Sequence, residues 1–287
     1  MTEKIDRLRA GLTHVAATDR SVENQRSRRL AAPAQNRSLE RGIHILRAFR
    51  VGANVMGNSE LAERTNLSTA TVSRLTQTLV KTGLLDYDAK ERAYRLSVAA
   101  LSLGHAVTFG SPIIKLSSPL LQKFARKYQL NVGLATRDLN EMVYLNVEHF
   151  NKSAVYRRIV PGHRVPMEST SLGHAYLSTL SDAQRNALLR DISLTHPQWH
   201  LVQASLEASL RNLDKLQVCM VKAWQPGYFA MATPVRFKRF QVHVINISVR
   251  ADHEADVSEM MASELVALAD AVRLSVESGA LTETVGA

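Results

Sequence analysis

Apolar positions recur along this chain with several periods, and the changes of period divide it. Residues 1–37 show no sustained apolar repeat and carry a basic cluster at Arg26, Arg28 and Arg29. They read as a mobile arm. From Ser38 onward Leu39, Ile43, Leu46 and Phe49 return at three- and four-residue steps, which predicts a helix capped by Ser38. A second, short helix follows over 58–65, with Ser59 as its cap and Leu61 and Ala62 inward. Asn66 and Leu67 form the turn, since Asn tolerates a left-handed backbone. Ser68 caps a third helix, which buries Val72, Leu75, Leu79 and Val80 and stops at Gly83, where a helix end favours positive φ. Two extended runs, 84–87 and 93–96, flank the polar turn 88–92 and read as a hairpin.

Three helices and a hairpin, in that order, make a winged helix-turn-helix. The third helix of such a module lies in a DNA major groove, and the hairpin reaches the neighbouring backbone. Thr69, Ala70, Ser73 and Arg74 are the outward positions near the start of the third helix, with Thr71 beside them. Small hydroxyl residues allow close approach and bond to phosphates or base edges, while Arg74 can fork onto a guanine. The alternative for Arg74 is an ordinary surface salt bridge. Lys90, Arg92 and Arg95 either touch phosphate or keep an edge strand soluble by charge. Charge agrees with a polyanion partner. Residues 1–37 hold 8 Lys/Arg against 4 Asp/Glu, and residues 38–96 hold 9 against 6, so the first third carries +7 of the net +10. The arm is then either a solvated tail or a further DNA contact.

Leu96, Ala99, Ala100, Leu103, Ala106 and Val107 repeat at helical spacing in a stretch, 96–114, without a single charge. So apolar a linker helix packs against something, either its own second domain or its twin from another chain. The twin is favoured, because a reader of DNA half-sites gains affinity and register by dimerising. From residue 113 the pattern is mixed. A helix over 113–128 buries Ile114, Leu120, Leu121 and Phe124, and strands follow at 130–136, 141–147 and 154–160. Pro161-Gly162 breaks the chain before a basic loop. Helices at 171–180, 181–191 and 206–219 precede strands at 228–235 and 241–249. A long helix over 255–278 closes the chain and buries Val257, Met260, Met261, Leu265, Leu268, Ala269 and Val272. The fold class is α+β with a mostly antiparallel sheet. The expected organisation is an arm (1–37), a winged helix-turn-helix (38–96), a linker helix (97–112) and a second domain (113–287).

Composition narrows the chemistry. A chain of 287 residues, 45% hydrophobic, suits two ordinary domains with real cores and excludes a disordered chain. The single cysteine, Cys219, rules out an intramolecular disulfide or a multi-cysteine metal site and fits a reducing compartment; it reads as a buried, inert thiol. The uncharged stretch carries Ser97, His105, Ser111 and Pro112, a poor membrane span, and the charged N-terminus lacks the apolar core of a signal peptide. The expected location is the cytoplasm. No two glycines stand two residues apart, no nucleophile elbow occurs, and Pro197 separates His196 from His200. Carboxylates are scattered. No catalytic residue, metal or cofactor is expected, and the chain does not read as an enzyme. One stretch does suggest a site: VPGHRVPMESTSLGHAY, residues 160–176, where Ser169, Thr170 and Ser171 open a helix at Leu172-Gly173. Free backbone N–H groups there favour an anion such as a carboxylate, and ordinary N-capping is the alternative.

These residues resemble the IclR family of bacterial transcription regulators, over roughly 38–276. The resemblance rests on SLERGIHILRAF, ELAERTNLSTATVSRLTQTLVKTGLL, the wing ending YRL, RVPMESTSLGHAYL and PGYFAMATPV, in that order and spacing. It implies a winged helix-turn-helix, a dimerising linker helix, and a GAF/profilin-like effector domain that binds a small organic acid or aromatic catabolite. The recognition helix then matches Ser68 to Arg74, with Thr71 and Arg74 at the family's Thr and Arg positions. The effector loop matches Ser169 to Gly173, with Ser171 and Leu172 lining the pocket; Tyr228 and Ala230 face it, and Ser248 and Arg250 point to the same cavity. Several positions depart from the family pattern. Cys219, Met220, Val221 and Lys222 stand where many members are acidic, Ala230 replaces a frequent Cys, and His174 replaces the usual Lys. Around Arg250-Ala251 the usual turn glycine is missing. Loss of the acidic group and gain of Arg250 shift the pocket toward anions, and Tyr228 and Met220 enlarge it. The resemblance thus implies a homodimer or dimer of dimers that binds double-stranded operator DNA, regulates a catabolic operon and senses an aliphatic or aromatic carboxylate. Two other classes fit less well: a metabolite-binding enzyme with an appended DNA-binding module, and an architectural DNA binder with a vestigial pocket.

Overall fold

The structure, a computed structural model, describes residues 36–50, 52–150, 159–222, 228–250 and 259–285. Of the arm expected over 1–37, residues 1–35 lie outside that set. The chain divides after Val98 into two compact units.

In the first unit, helix α1 (Arg37–Ala48) starts from Asn36, whose Oδ1 accepts from the N–H groups of Ser38 and Leu39, both at 3.2 Å. Ser38 is therefore not the cap; it sits inside the first turn, where the shorter reach from Asn36 satisfies its N–H. Gly42, Ile45 and Phe49 are buried and Leu39 and Ile43 are exposed, so the inward stripe is rotated from the predicted one. Helix α2 (Asn58–Thr65) follows Gly57 without a side-chain cap, which corrects the role expected of Ser59. Asn66 takes the left-handed backbone its turn requires, at φ 54 and ψ 37. Helix α3 (Thr69–Lys81) is capped by Ser68, whose Oγ accepts from the Thr71 N–H at 3.3 Å. It buries Val72, Leu75, Thr76 and Leu79, and the chain leaves it through Gly83 at φ +76. Strands β1 (Leu85–Asp88) and β2 (Ala93–Leu96) then pair antiparallel, Leu85 opposite Leu96. Tyr94 also exchanges backbone bonds with Met56, at 3.0 and 2.8 Å, which ties the hairpin to the chain ahead of α2. One core of Ile45, Phe49, Met56, Leu61, Val72, Leu75, Leu79, Leu85 and Tyr94 joins all five elements.

Helix α4 (Val98–Gly110) buries none of its residues. Helix α5 (Pro112–Tyr128), capped by Ser111, leads into a six-stranded sheet. Its strands are β3 (Val132–Asp138), β4 (Glu141–Glu148), β5 (Arg164–Pro166), β6 (Cys219–Lys222), β7 (Tyr228–Val235) and β8 (His243–Arg250). Their order is β5-β4-β3-β8-β7-β6, and every neighbouring pair is antiparallel. The remaining helices are α6 (Ser171–Leu177), α7 (Asp182–Thr195), α8 (Trp199–Leu216) and α9 (Glu259–Val285). The fold is the expected α+β: a helix-turn-helix domain followed by an α/β domain on an antiparallel sheet.

Period 2 sorts the sheet's side chains into two cores. Val132, Leu134, Met220, Phe229, Met231, Ile245 and Ile247 meet Leu121 and Phe124 of α5 and Leu265, Leu268 and Val272 of α9. On the other face Ala135, Tyr144, Cys219, Ala232 and Val244 meet Leu172, Ala175 and Leu177 of α6 and Leu206 of α8. Four expectations need correcting. Residues 164–166, read as loop, form β5; only Val165 of its three residues is buried, too short a run to show alternation. Of the strand expected over 154–160, residues 154–158 lie outside the described set, and Ile159 and Val160 are not in a strand. Cys219, expected to end a helix, opens β6, because α8 stops at Leu216 with Gln217 left-handed at φ 59. In the last helix Met260 is 63% exposed rather than buried, and Val257 lies outside the described residues.

Candidate functional site

The outer surface of α3 carries the residues singled out for DNA. Ser68 both accepts from the Thr71 N–H and donates to Thr71 Oγ1 at 2.9 Å, so the two hydroxyls are held together at the helix start. Thr69, Ala70 and Arg74 are exposed, and Thr71 and Ser73 are half-buried. No described carboxylate lies within ion-pair distance of Arg74, so the surface salt bridge is not what the structure contains. Gln77, exposed one turn beyond Ser73 and Arg74, extends the stripe. The sequence reading stopped at Arg74 and missed it, although helical spacing places 70, 74 and 77 on one side.

The hairpin separates its cations. Asp88 Oδ1 accepts from the N–H groups of Lys90 and Glu91 at 3.0 and 3.2 Å, and Oδ2 takes Arg95 at 2.8 Å. One carboxylate therefore shapes the turn and holds Arg95. Lys90 and Arg92 remain exposed at the tip, Arg92 with a left-handed backbone at φ 50.

In the second unit, Thr170 is the middle of the Ser/Thr cluster and the true cap of α6. Its Oγ1 accepts from the Gly173 N–H at 3.2 Å and donates to Pro166 O at 2.6 Å. Ser169 is exposed, while Ser171 and Leu172 are 2% and 1% exposed. Gly173 lies so close to the preceding loop that a Cβ would run into the Met167 carbonyl. The expected basic loop does not offer Arg164, whose guanidinium is held by Asp138 and, at 3.0 Å, by Glu141.

Strand pairing places Ala230 opposite Ser248 and Tyr228 opposite Arg250. By alternation these positions share the sheet face of Ala232 and Val244, the face α6 packs against. Tyr228, Ala230 and Ser248 are half-buried. The Arg250 side chain lies outside the described residues. Met220 belongs to the opposite core with its partner Met231, so it cannot enlarge a pocket on the α6 side as expected.

Known proteins place this arrangement. Residues 38–89 match the IclR helix-turn-helix domain, and residues 105–278 match the bacterial transcriptional regulator IclR C-terminal domain. The chain belongs to the IclR family of bacterial transcriptional regulators. The HTH-type transcriptional regulator TsaQ1/TsaQ2 of Comamonas testosteroni is 34% identical over 143 residues, 49% of this chain. The chain spans only half the length of that relative, at 50%. The crystal structure of an IclR family regulator from Brucella abortus superposes with a TM-score of 0.74 at 29% identity, covering 83% of this chain and 92% of that one. An IclR homologue of Microbacterium hydrocarbonoxydans, crystallised with 4-hydroxybenzoate, shares the fold at a TM-score of 0.62 and 16% identity, covering 84% and 99%.

Two further features of this IclR-family chain lie beneath the α6 face. His174 is fully buried; its Nε2 stands 2.7 Å from Glu168 O and its Nδ1 2.9 Å from Ser209 Oγ, which is 2.7 Å from Met220 O. Burial pushes its pKa down to about 4, so the ring is neutral at pH 7, with Nε2–H donating to the Glu168 carbonyl. Cys219 is buried and its thiol is pushed up to about 12, an inert group. The second feature is Tyr144 with Asn246, which the sequence reading passed over, although Asn246 is the polar break in the apolar strand HVINISVR. Burial pushes the Tyr144 phenol up to about 12, opposed in part by the hydrogen bond from Asn246. Among the described residues no group of His, Cys, Asp or Glu could hold a metal ion, and no helix is long and apolar enough to cross a membrane.

Proposed function

We propose that this chain is a ligand-responsive transcriptional regulator of a catabolic operon, acting in the cytoplasm as a homodimer or dimer of dimers on double-stranded operator DNA. The observation that carries this reading is the outward surface of α3: hydroxyls at its start, then Arg74 and Gln77, with no paired carboxylate and a full core behind them. Ser68, Thr69, Thr71, Ser73 and Arg74 are its proposed groove contacts and Arg92 its phosphate contact. Gln77 adds an amide suited to adenine. Residues 97–112 act as the linker, and the exposed Val98, Leu101, Leu103, Val107 and Phe109 of α4 are where two copies meet.

The effector is a small aliphatic or aromatic acid. Its proposed site is Ser169, Ser171, Leu172, Gly173, Tyr228, Ala230, Ser248 and Arg250, with Arg250 pairing the carboxylate bidentately. 4-Hydroxybenzoate, the ligand of the Microbacterium homologue, is the first acid to try. An acid that prefers one mutual arrangement of two chains shifts the spacing of their reading heads. The reading assigns no catalytic residue, metal or cofactor.

The test is competition binding with fragments from upstream of the chain's own gene and of neighbouring catabolic genes. One fragment should be retained over random DNA, with affinity falling steeply as salt rises. Equal retention of all fragments would remove the regulator from consideration.

A further inference from the structure

The two faces of the sheet differ in bulk. Toward α5 and α9 the strands present Val132, Leu134, Phe229, Met231, Ile245 and Ile247. Toward α6 the alternating positions include the small residues Gly133, Ala135, Ala230, Ala232 and Ser248, with Val244 and Tyr228 among them. Two polar side chains meet over Gly133. Tyr144 and Asn246 come down over Gly133 from the strands on either side of it. A Cβ there would lie 2.5 Å from Asn246 Oδ1 and 2.9 Å from Tyr144 Cδ1, so the position has room for both only because it carries no side chain.

The hydrogen bonds on this face are incomplete. The Asn246 side chain stands beside that of Tyr144 over Gly133. Its Oδ1 is buried, in a residue only 8% exposed, and has no hydrogen-bond partner. Native proteins seldom leave a buried acceptor unpaired, and those that persist ask for an explanation. Oδ1 can only accept, so whatever completes it must donate. A carboxylate oxygen would be repelled, and a buried ammonium would face the larger cost of losing its water. A neutral hydroxyl meets both conditions.

We propose that Asn246 Oδ1 reads a hydroxyl on the effector, so that the site takes a hydroxylated organic acid in preference to the same acid without that group. The inference rests on the reading that the α6 side of the sheet is the effector site. It adds Asn246 as the specificity residue, Tyr144 as the group that orients it, and Gly133 as the gap that admits both. The carboxylate lies away from Asn246, toward the Tyr228–Arg250 end of the same face.

The experiment uses the full chain and matched probes: 4-hydroxybenzoate against benzoate, and 3-hydroxybutyrate against butyrate, each titrated by calorimetry. In at least one pair the hydroxylated acid should bind roughly tenfold more tightly, the effect of one added hydrogen bond. In Asn246→Leu that ratio should fall to about one. Asn246→Leu also takes away the polar neighbour of Tyr144, so its ligand-free melting transition should remain cooperative, which shows that the ratio is read on folded protein. Equal affinities within both pairs, no binding by any of the four, or an unchanged ratio in the variant would overturn the proposal. Operator retention, measured on the same preparation, reports separately on the regulator. Its loss with the ratio intact would sink that reading and leave the hydroxyl reader standing.

Discussion

In the first unit Thr69, Ala70, Arg74, Gln77 and Arg92 are exposed, and α3 is held from behind by Val72, Leu75 and Leu79. In the second, Ser171, Leu172, Gly173 and His174 are buried and form part of the packing they would serve. Groove-reading side chains have to reach outward to a large partner, so their support can lie entirely beneath them. A small ligand would have to be enclosed, by residues that also hold the domain together. Substitution should therefore separate function from stability in the first unit and entangle them in the second.

The largest effect expected is at Gly173. Gly173→Val drives a side chain into the Met167 carbonyl, and overpacking of this kind costs about 3 kcal/mol. Urea unfolding should show it; an unshifted midpoint would mean the loop and α6 are not closely packed. Acid comes next. His174 has a folded pKa of about 4 against an ordinary 6.5, so the unfolded chain binds the extra proton first. The neutral ring's contribution is then intact above pH 6.5 and is lost as pH falls from 6.5 through 4, by on the order of 3 kcal/mol in full. Burial also lowers the pKa of His243, so a second group drives unfolding in the same direction. Melting temperatures between pH 7 and pH 4 should therefore drop less for His174→Gln than for the wild type, and parallel curves would exclude His174 as the cause.

Arg74→Ala should weaken operator binding by about 1–3 kcal/mol and relax preference at one base position. Its melting temperature should match the wild type's, and a matching drop in stability would blur the contrast between the units. The smallest effect separates two candidate caps. Asn36→Ala should cost about 1 kcal/mol in thermal unfolding, while Ser38→Ala should change little, since the cap bonds belong to Asn36.

How much of this was legible in the sequence follows the range of the interactions involved. Ser68, Asn66 and Gly83 could be placed because a cap, a left-handed turn and a helix stop are decided within four residues. Asn36 was passed over because two residues two positions apart, Asn36 and Ser38, could each cap the same turn in slightly different register. Strand β5 was hidden because three residues carry no period, and it exists only because β4 offers an edge for Arg164 to Pro166 to pair with. Met220 looked like pocket lining beside Tyr228, yet strand register sends it to the opposite core. Of the proposed effector residues, the sequence could offer the loop and the strands, while the pairing of Ala230 with Ser248 is what puts two of them on one face.

The order of elements in the first unit, the division into a basic head and an α/β domain, and the side of α3 that faces outward follow from the sequence alone, since periodicity and local backbone chemistry decide them. Tertiary structure decided which residues share the α6 face, why Gly173 and Gly133 carry no side chain, and that Asn246 keeps a buried oxygen unpaired. These depend on strand register and on contacts between residues as far apart as Gly133 and Asn246, about which neighbours in the chain carry no information.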